Sequence, residues 1–323
     1  MGTFRQMAYW LAIVEEGSFT RAAARMHVSQ PSLSQQVRAL EEELGVQLFT
    51  RNGKRLCLTD AGMRYAQQIR TALMVIADAT RDVRASDRDR RLVVSMLTSF
   101  AARFITPRIG TFIERHPEID VELQSTNSLT DFARDDVDIA IRFGQGNYPG
   151  LHVEPLFDEV FFPACSPTLN GGKLPQTPAD LVHYNLLRSD DELWRPWFDA
   201  AGLKTLTEPK RGILYQDSSN LLLAAIDGQG IALVRRSLAV HDLLDGRIVR
   251  LFDIDGPSPW HYFFVCPPPL LNTPRVQAFR TWLLEEVAEY KRLCDELDAR
   301  RAAGKTPAEC AREGGWKALR VRP

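Results

Sequence analysis

The most concentrated chemistry in the chain lies where Gln30, Pro31, Ser32, Ser34, Gln35 and Arg38 are interleaved with Leu33 and Val37. Glutamine pairs bidentately with adenine, serine reaches base edges or phosphates, and apolar groups such as proline methylenes meet a thymine methyl. Leu33, Val37, Leu40 and Leu44 recur at helical spacing, so the polar groups fall on the other face of an amphipathic helix. Upstream, Ala22 and Ala23 allow close helix approach, and Met26 and Val28 bracket a short turn. This is the layout of a helix-turn-helix, whose second helix offers its first turn to the DNA major groove. For Ser29 and Ser32 a plainer role as helix caps is also open. Asn52-Gly53 between two short extended runs signals a hairpin. Arg51, Lys54 and Arg55 make its tip a basic wing that reaches phosphates, unless they are simply solvated surface charges.

Other constellations lead away from catalysis. The six histidines are dispersed, with no HExxH or paired-ligand spacing. There is no GxSxG elbow, P-loop or GxGxxG. Gly228-Gln229-Gly230 follows a helix and precedes a strand, the wrong order for a dinucleotide site. Asp135, Asp136 and Asp138 read as a solvated turn and cap. Neither enzyme activity, metal nor cofactor is expected. The five cysteines are odd in number and scattered, which fits a reducing cytoplasm better than a disulfide framework. With no run of about 18 apolar residues, no membrane helix is expected, and MGTFRQMAYWLAIVEEG lacks the marks of a signal peptide.

The 323 residues carry a net charge of −1, with 45% hydrophobic and 25% charged residues, an ordinary globular balance. Residues 1–70 nevertheless hold nine arginines and lysines against six acids. A basic end on a neutral chain fits a DNA-binding module joined to a domain with another task. Phe4 to Glu15 forms the first helix, Gly17 ends it, and Ser18 caps the next. From Thr59 or Asp60 a long helix runs to about Arg88. In it Tyr65, Ile69, Ala72, Ile76, Ala79 and Val83 form a heptad seam, read as a dimerisation surface. A polar linker, 85–91, follows. From Leu92 strands alternate with helices, which implies a parallel α/β sheet. Strands are expected at 92–97, 121–125, 137–142, 159–164, 212–215, 230–234 and 260–266, and helices at 104–116, 193–201, 220–228 and 275–290. Two lobes, with the chain crossing near 160 and returning near 266, would leave a cleft at the carboxyl ends of the strands.

The stretch SFTRAAARMHVSQPSLSQQVRALEEELGVQLFTRNGKRLCLTDAG resembles LysR-type transcriptional regulators. DVDIAIRFGQGNYPGL and YQDSSNLLLAAIDGQGIALVRR resemble the branch of glycine-cleavage activators and β-lactamase-expression regulators. The resemblance covers residues 3–290. It implies an α+β multidomain chain: a winged helix-turn-helix over 1–60, a linker helix and hinge over 61–90, and a two-lobed, periplasmic-binding-protein-like effector domain over 91–290. It also implies double-stranded DNA with an interrupted palindrome, a small-molecule coinducer, self-association as a dimer or dimer of dimers, and RNA polymerase as partners. Gln30, Pro31, Ser32, Ser34, Gln35 and Arg38 match the family's recognition helix, with Arg51 and Arg55 in the wing. Thr98, Ser99, Phe100, Thr126, Asn127, Arg142, Gly144, Asp217, Ser218, Ser219 and Tyr262 match positions lining the effector cleft. For Asp217, Ser218 and Ser219 simple helix capping is the competing role, and for Tyr262 simple packing. Amides at two helix starts would suit a carboxylate and Asp217 an amine, so an amino-acid-like or peptide-like zwitterion is expected. The alternative is a small-molecule receptor whose DNA binding is incidental. Residues 291–323 depart from the family pattern: a disordered, dispensable polar tail is the favoured reading, and the alternatives are a segment that extends the closing helix and then frays, one that docks through Trp316, or a basic end that makes an auxiliary DNA or partner contact.

Overall fold

The computed structural model of the chain describes residues 4–52, 55–83, 90–128, 130–132 and 135–303. Its first elements are α1 (Phe4–Glu16), α2 (Phe19–Arg25) and α3 (Gln30–Leu44). The Ser18 and Ser29 side chains accept from the amides of Arg21 and Ser32, satisfying donors that a helix start leaves unpaired. His27 takes φ +54° in the turn between α2 and α3, and Gly45 ends α3 at φ +67°. A hairpin of β1 (Phe49–Asn52) and β2 (Arg55–Leu58) pairs antiparallel, with Asn52 opposite Arg55. The Glu41 carboxylate accepts from the amides of Leu48 and Phe49 at 2.7 and 3.1 Å, which fixes the wing against α3.

The helix that follows, α4 (Asp60–Val83), starts with Thr59 Oγ1 accepting from the Gly62 amide. A Cβ on Gly62 would lie 2.2 Å from the Leu48 carbonyl oxygen, so only glycine lets α4 approach the wing this closely. Trp10, Ile13, Ala22, Leu33, Leu40 and Leu48 are buried together in the core of this unit. Tyr65 and Ile69 belong to the same core, Tyr65 against Trp10 at 5.2 Å between rings. The expected dimerisation seam is corrected here: its first two members face their own chain. Two later members of that seam, Ala72 and Ile76, are exposed, and Met63 and Val75 beside them complete the outward apolar surface of α4. The side chain of Val83 lies outside the described residues.

The second half of the chain is built from β3 (Arg91–Met96), α5 (Thr98–Phe100), α6 (Ile109–Arg115), β4 (Asp120–Ser125), β5 (Ile139–Gly144), β6 (His152–Cys165), β7 (Arg188–Ser189), α7 (Trp194–Ala200), β8 (Leu214–Tyr215), α8 (Ser218–Ile226), β9 (Ala232–Arg235), α9 (Arg236–Leu244), β10 (Val249–Arg250), β11 (Gly256–Cys266) and α10 (Pro274–Ala302). Where one helix over 104–116 is expected, α5 runs into a π turn at Ala101–Ile105 and α6 starts afresh. Pro107, with no amide to donate, sits at the break. The main sheet has the order β10-β6-β11-β5-β3-β4, with β9 also on β6. It is mixed, not parallel as expected: β3 is parallel to β4 and β5, while β11 is antiparallel to β5 and β6.

β6 and β11 are the two long strands on which the chain crosses between lobes, and bulges interrupt their pairing around Pro257–Phe263. Asp138 is buried and not the solvated group expected. One of its oxygens accepts from the Val93 amide at 2.9 Å and the other meets Arg275. A further correction concerns the tail. Helix α10 continues past 290 to Ala302, burying Leu293 and Cys294. It joins both lobes: Trp282 donates to Thr111 Oγ1, and Arg236 meets the Cys294 carbonyl and Asp298. Residues 304–323 lie outside the described residues. None of the described helices is long and apolar enough to cross a membrane.

Candidate nucleic-acid interface and ligand cleft

α3 buries Leu33, Val37 and Leu40, which leaves Gln30, Pro31, Ser32, Gln35 and Arg38 exposed and Ser34 half-buried. Pro31 in the first turn costs no hydrogen bond there. The exposed side chains therefore share one polar face of a helix held rigidly by α1, α2 and the wing. Arg51 and Arg55 sit on β1 and β2, and their side chains lie outside the described residues.

The second site lies where β3, β4 and β5 end. A recess of about 410 Å³ is lined by Leu97, Asn127 and Phe143 from one lobe and by Asp190, Asp191, Gln216, Arg235 and Trp260 from the other side. Arg235, fully buried at the end of β9, pairs with Glu192 at 2.8 Å and Asp191 at 3.4 Å. Its guanidinium lies 4.3 Å over the Phe143 ring, and Nη1 donates to Tyr262 Oη at 3.5 Å. Burial opposes its charge, but Glu192 and Tyr262 outweigh that and hold the group above the ordinary arginine range. Glu192 is itself fully buried and accepts from Ser218 Oγ at 2.5 Å and Ser189 Oγ at 2.6 Å. Burial pushes the Asp191 carboxyl up; Arg235 opposes this, while Glu192, Asp190 and Asp217 add to it.

The expected cleft residues divide accordingly. Asn127 lines the recess, and Thr98 is exposed just beyond Leu97. Ser99 is buried. Phe100 is core, not lining: it stacks between Phe104 at 4.7 Å and Tyr262 at 4.5 Å. Thr126 Oγ1 accepts from the Ser128 amide, so its hydroxyl closes a turn. Arg142 is buried and donates to the Ser128 carbonyl at 3.3 Å, with burial lowering its pKa. Gly144 makes room for a neighbour and not a ligand, since a Cβ there would lie 2.5 Å from Tyr148 Oη. Asp217 caps α8, accepting from the Ser219 and Asn220 amides at 2.9 and 3.2 Å. Those amides are thereby taken, which removes one carboxylate-binding helix start. Ser218 is spent on Glu192, and the buried Ser219 Oγ has no hydrogen-bond partner among the described residues. Tyr262 is packed, only its hydroxyl turned to Arg235.

Sequence reasoning missed Asp190, Asp191, Glu192, Gln216, Arg235 and Trp260. Two signals were present: three consecutive acids before an aromatic helix, and an arginine ending an apolar strand.

Fold and site together define a winged-helix DNA-binding module joined to a two-lobed domain with a polar cleft, the architecture of a ligand-sensing transcription regulator. Residues 4–63 match the bacterial regulatory helix-turn-helix protein model of the lysR family, and residues 85–288 match the LysR substrate binding domain. The chain belongs to the LysR family of transcriptional regulators. It is 37% identical over 273 residues to the glycine cleavage system transcriptional activator of Escherichia coli (strain K12), covering 84% of this chain and 89% of that protein. It is 35% identical over 273 residues to the HTH-type transcriptional activator AmpR of Pseudomonas aeruginosa, covering 84% and 91%. Among solved structures, the effector domain of that AmpR superposes with a TM-score of 0.54 at 33% identity, covering 62% of this chain and 97% of the other. CrgA, a LysR-type regulator from Neisseria meningitidis, gives 0.54 at 25% identity, covering 88% and 98%.

Proposed function

We propose that an amine-bearing, amino-acid-like or peptide-like coinducer binds between the lobes and changes how paired winged helices sit on an interrupted palindrome. In this reading Gln30, Ser32, Ser34, Gln35 and Arg38 face base edges, and Arg51 and Arg55 hold phosphates beside them. The observation that carries the DNA half is the polar face of α3 standing exposed over a buried Leu33-Val37-Leu40 stripe. The cleft half rests on charge. Arg235 carries one positive charge against Glu192 and Asp191, with Asp190 beside them, so the recess keeps a net negative charge. An ammonium group gains there, and a simple dicarboxylate is repelled. Pairing of two chains uses the outward face of α4 around Ala72, Val75 and Ile76, and RNA polymerase is the partner that reads the outcome.

Footprinting of the purified full chain tests both halves. Protection of one interrupted palindrome, altered by an amine-bearing effector but not by succinate, is the expected result. Because effector and operator share one coupling free energy, operator DNA must shift effector affinity by the same factor. A chain that bound amines yet protected no duplex sequence would be a receptor with incidental DNA binding.

A further inference from the structure

A second cavity of about 150 Å³ opens beside the recess, and Asp191 and Trp260 line both. Its walls include Leu193, Pro196, Trp197 and Leu233. The polar atoms of these walls are engaged elsewhere. Trp197 is fully buried and its indole N–H donates to the Ile254 carbonyl at 3.0 Å. Ser258 Oγ donates to the Trp260 carbonyl at 2.7 Å and accepts from its amide at 3.1 Å. The prolines offer no amide donor. What remains is a hydrocarbon-walled slot with a carboxylate at its mouth.

We infer that this slot is a specificity subsite that takes a benzene-sized or branched aliphatic group of the coinducer. The inference rests on the cleft reading above and deepens it. A dry cavity of about 150 Å³ with apolar walls holds benzene. The shared rim places such a group next to Asp191, so one molecule spans both spaces with its amine on the carboxylates. A coinducer without the apolar group leaves the slot empty and binds roughly tenfold to a hundredfold more weakly.

The test uses the full chain, with L-phenylalaninamide, L-alaninamide and 3-phenylpropionate titrated by calorimetry. Tryptophan emission is followed in parallel, because Trp197 and Trp260 wall the slot. The variant Leu193→Trp fills the slot from its rim, where Leu193 is half exposed. Phenylalaninamide should bind at least tenfold tighter than alaninamide and shift the emission. Leu193→Trp should erase that advantage while leaving alaninamide affinity unchanged, which also reports that the variant is folded. Equal affinities in the parent, or an advantage surviving Leu193→Trp, overturn the slot and leave the amine cleft standing. Phenylpropionate binding as tightly as phenylalaninamide overturns the cleft reading while the slot survives. Failure of all three probes to bind overturns both.

Discussion

Removing the Glu192 carboxylate should be among the most damaging single changes available to the effector domain. Glu192 and Arg235 are both fully buried and lie 2.8 Å apart. In Glu192→Ala the guanidinium stays in the interior with Asp191, at 3.4 Å, as its remaining ion pair among the described residues. Breaking a buried pair from one side costs about 3–5 kcal/mol, because the remaining charge is left uncompensated. The hydroxyls of Ser218 and Ser189 lose their acceptor as well. Against a total stability of about 5–15 kcal/mol for a domain, a fifth or more is lost. For a domain of this size, at about 2–4 °C per kcal/mol, the melting transition should fall by roughly 6–20 °C. Glu192→Leu combined with Arg235→Met removes both charges and keeps the volume, so it should fall within about 1 kcal/mol of the parent or exceed it. Urea unfolding of parent, Glu192→Leu, Arg235→Met and the pair gives the full cycle. A double variant as unstable as the sum of the singles, or a Glu192→Ala loss below about 1 kcal/mol, would refute the argument that the pair is held by mutual compensation.

Further outcomes follow from the same geometry. Burial pushes the Glu159 carboxyl up to about 7 from an ordinary 4.5, against hydrogen bonds from Ser237 and the charge of Arg235. The folded chain therefore holds that proton more tightly than the unfolded one, so the contribution is complete below pH 4.5 and is lost as pH rises to about 7. Relative to Glu159→Gln, the parent should lose up to about 3 kcal/mol over that rise in urea titrations; parallel curves would contradict it. Gln35→Ala should relax base preference by about 1–3 kcal/mol with an unchanged salt dependence. Arg51→Ala should weaken all sequences alike and lower the slope of log affinity against log salt by about 0.9. Ile76→Glu should shift the sedimenting species toward monomer, while Tyr65→Ala should lower the melting point of the winged-helix unit, because Tyr65 packs on Trp10. Leu293→Ala should cost about 2–4 kcal/mol as a buried truncation, whereas Asp298→Ala, half exposed, should cost less than about 1 kcal/mol.

The winged helix was legible because its signals are local. Caps at Ser18 and Ser29, the apolar spacing of α3 and the Asn52-Gly53 pair between the wing strands all act within a few residues. The α4 seam misled for a physical reason: one apolar stripe serves two partners. Its N-terminal part, Tyr65 and Ile69, packs at home, and its later part faces out. Strand positions were readable from apolar runs, but their direction was not, since β11 lies antiparallel only because of where the chain returns. The clasp at the cleft joins Glu192 to Arg235, 43 positions apart, and no local pattern announces such a pair. In the tail, Leu293 and Cys294 are interleaved with charges that pair along the helix, such as Arg292 with Glu289 and Glu296. A sequence rich in mutually satisfied charges looks like a solvated tail while folding as a helix.

Under the proposed cleft reading, selectivity is concentrated in one short stretch, 190–197. Asp190 and Asp191 set the sign of the charge the recess accepts. Glu192 anchors that stretch by neutralising Arg235 and holding Ser218 at the start of α8. Leu193, Pro196 and Trp197 then set the size and polarity of the adjoining slot. The two properties are linked through the helix turn itself. α7 starts at Trp194, whose indole N–H donates to the Leu187 carbonyl, and this buried contact fixes where the preceding acids lie. Relatives that differ at 190 or 191 would thus differ in the charge they accept, while those that differ at 193, 196 or 197 would differ in the side group they admit. Changes at Glu192 stand apart from both, because they disturb the anchor on which each property depends.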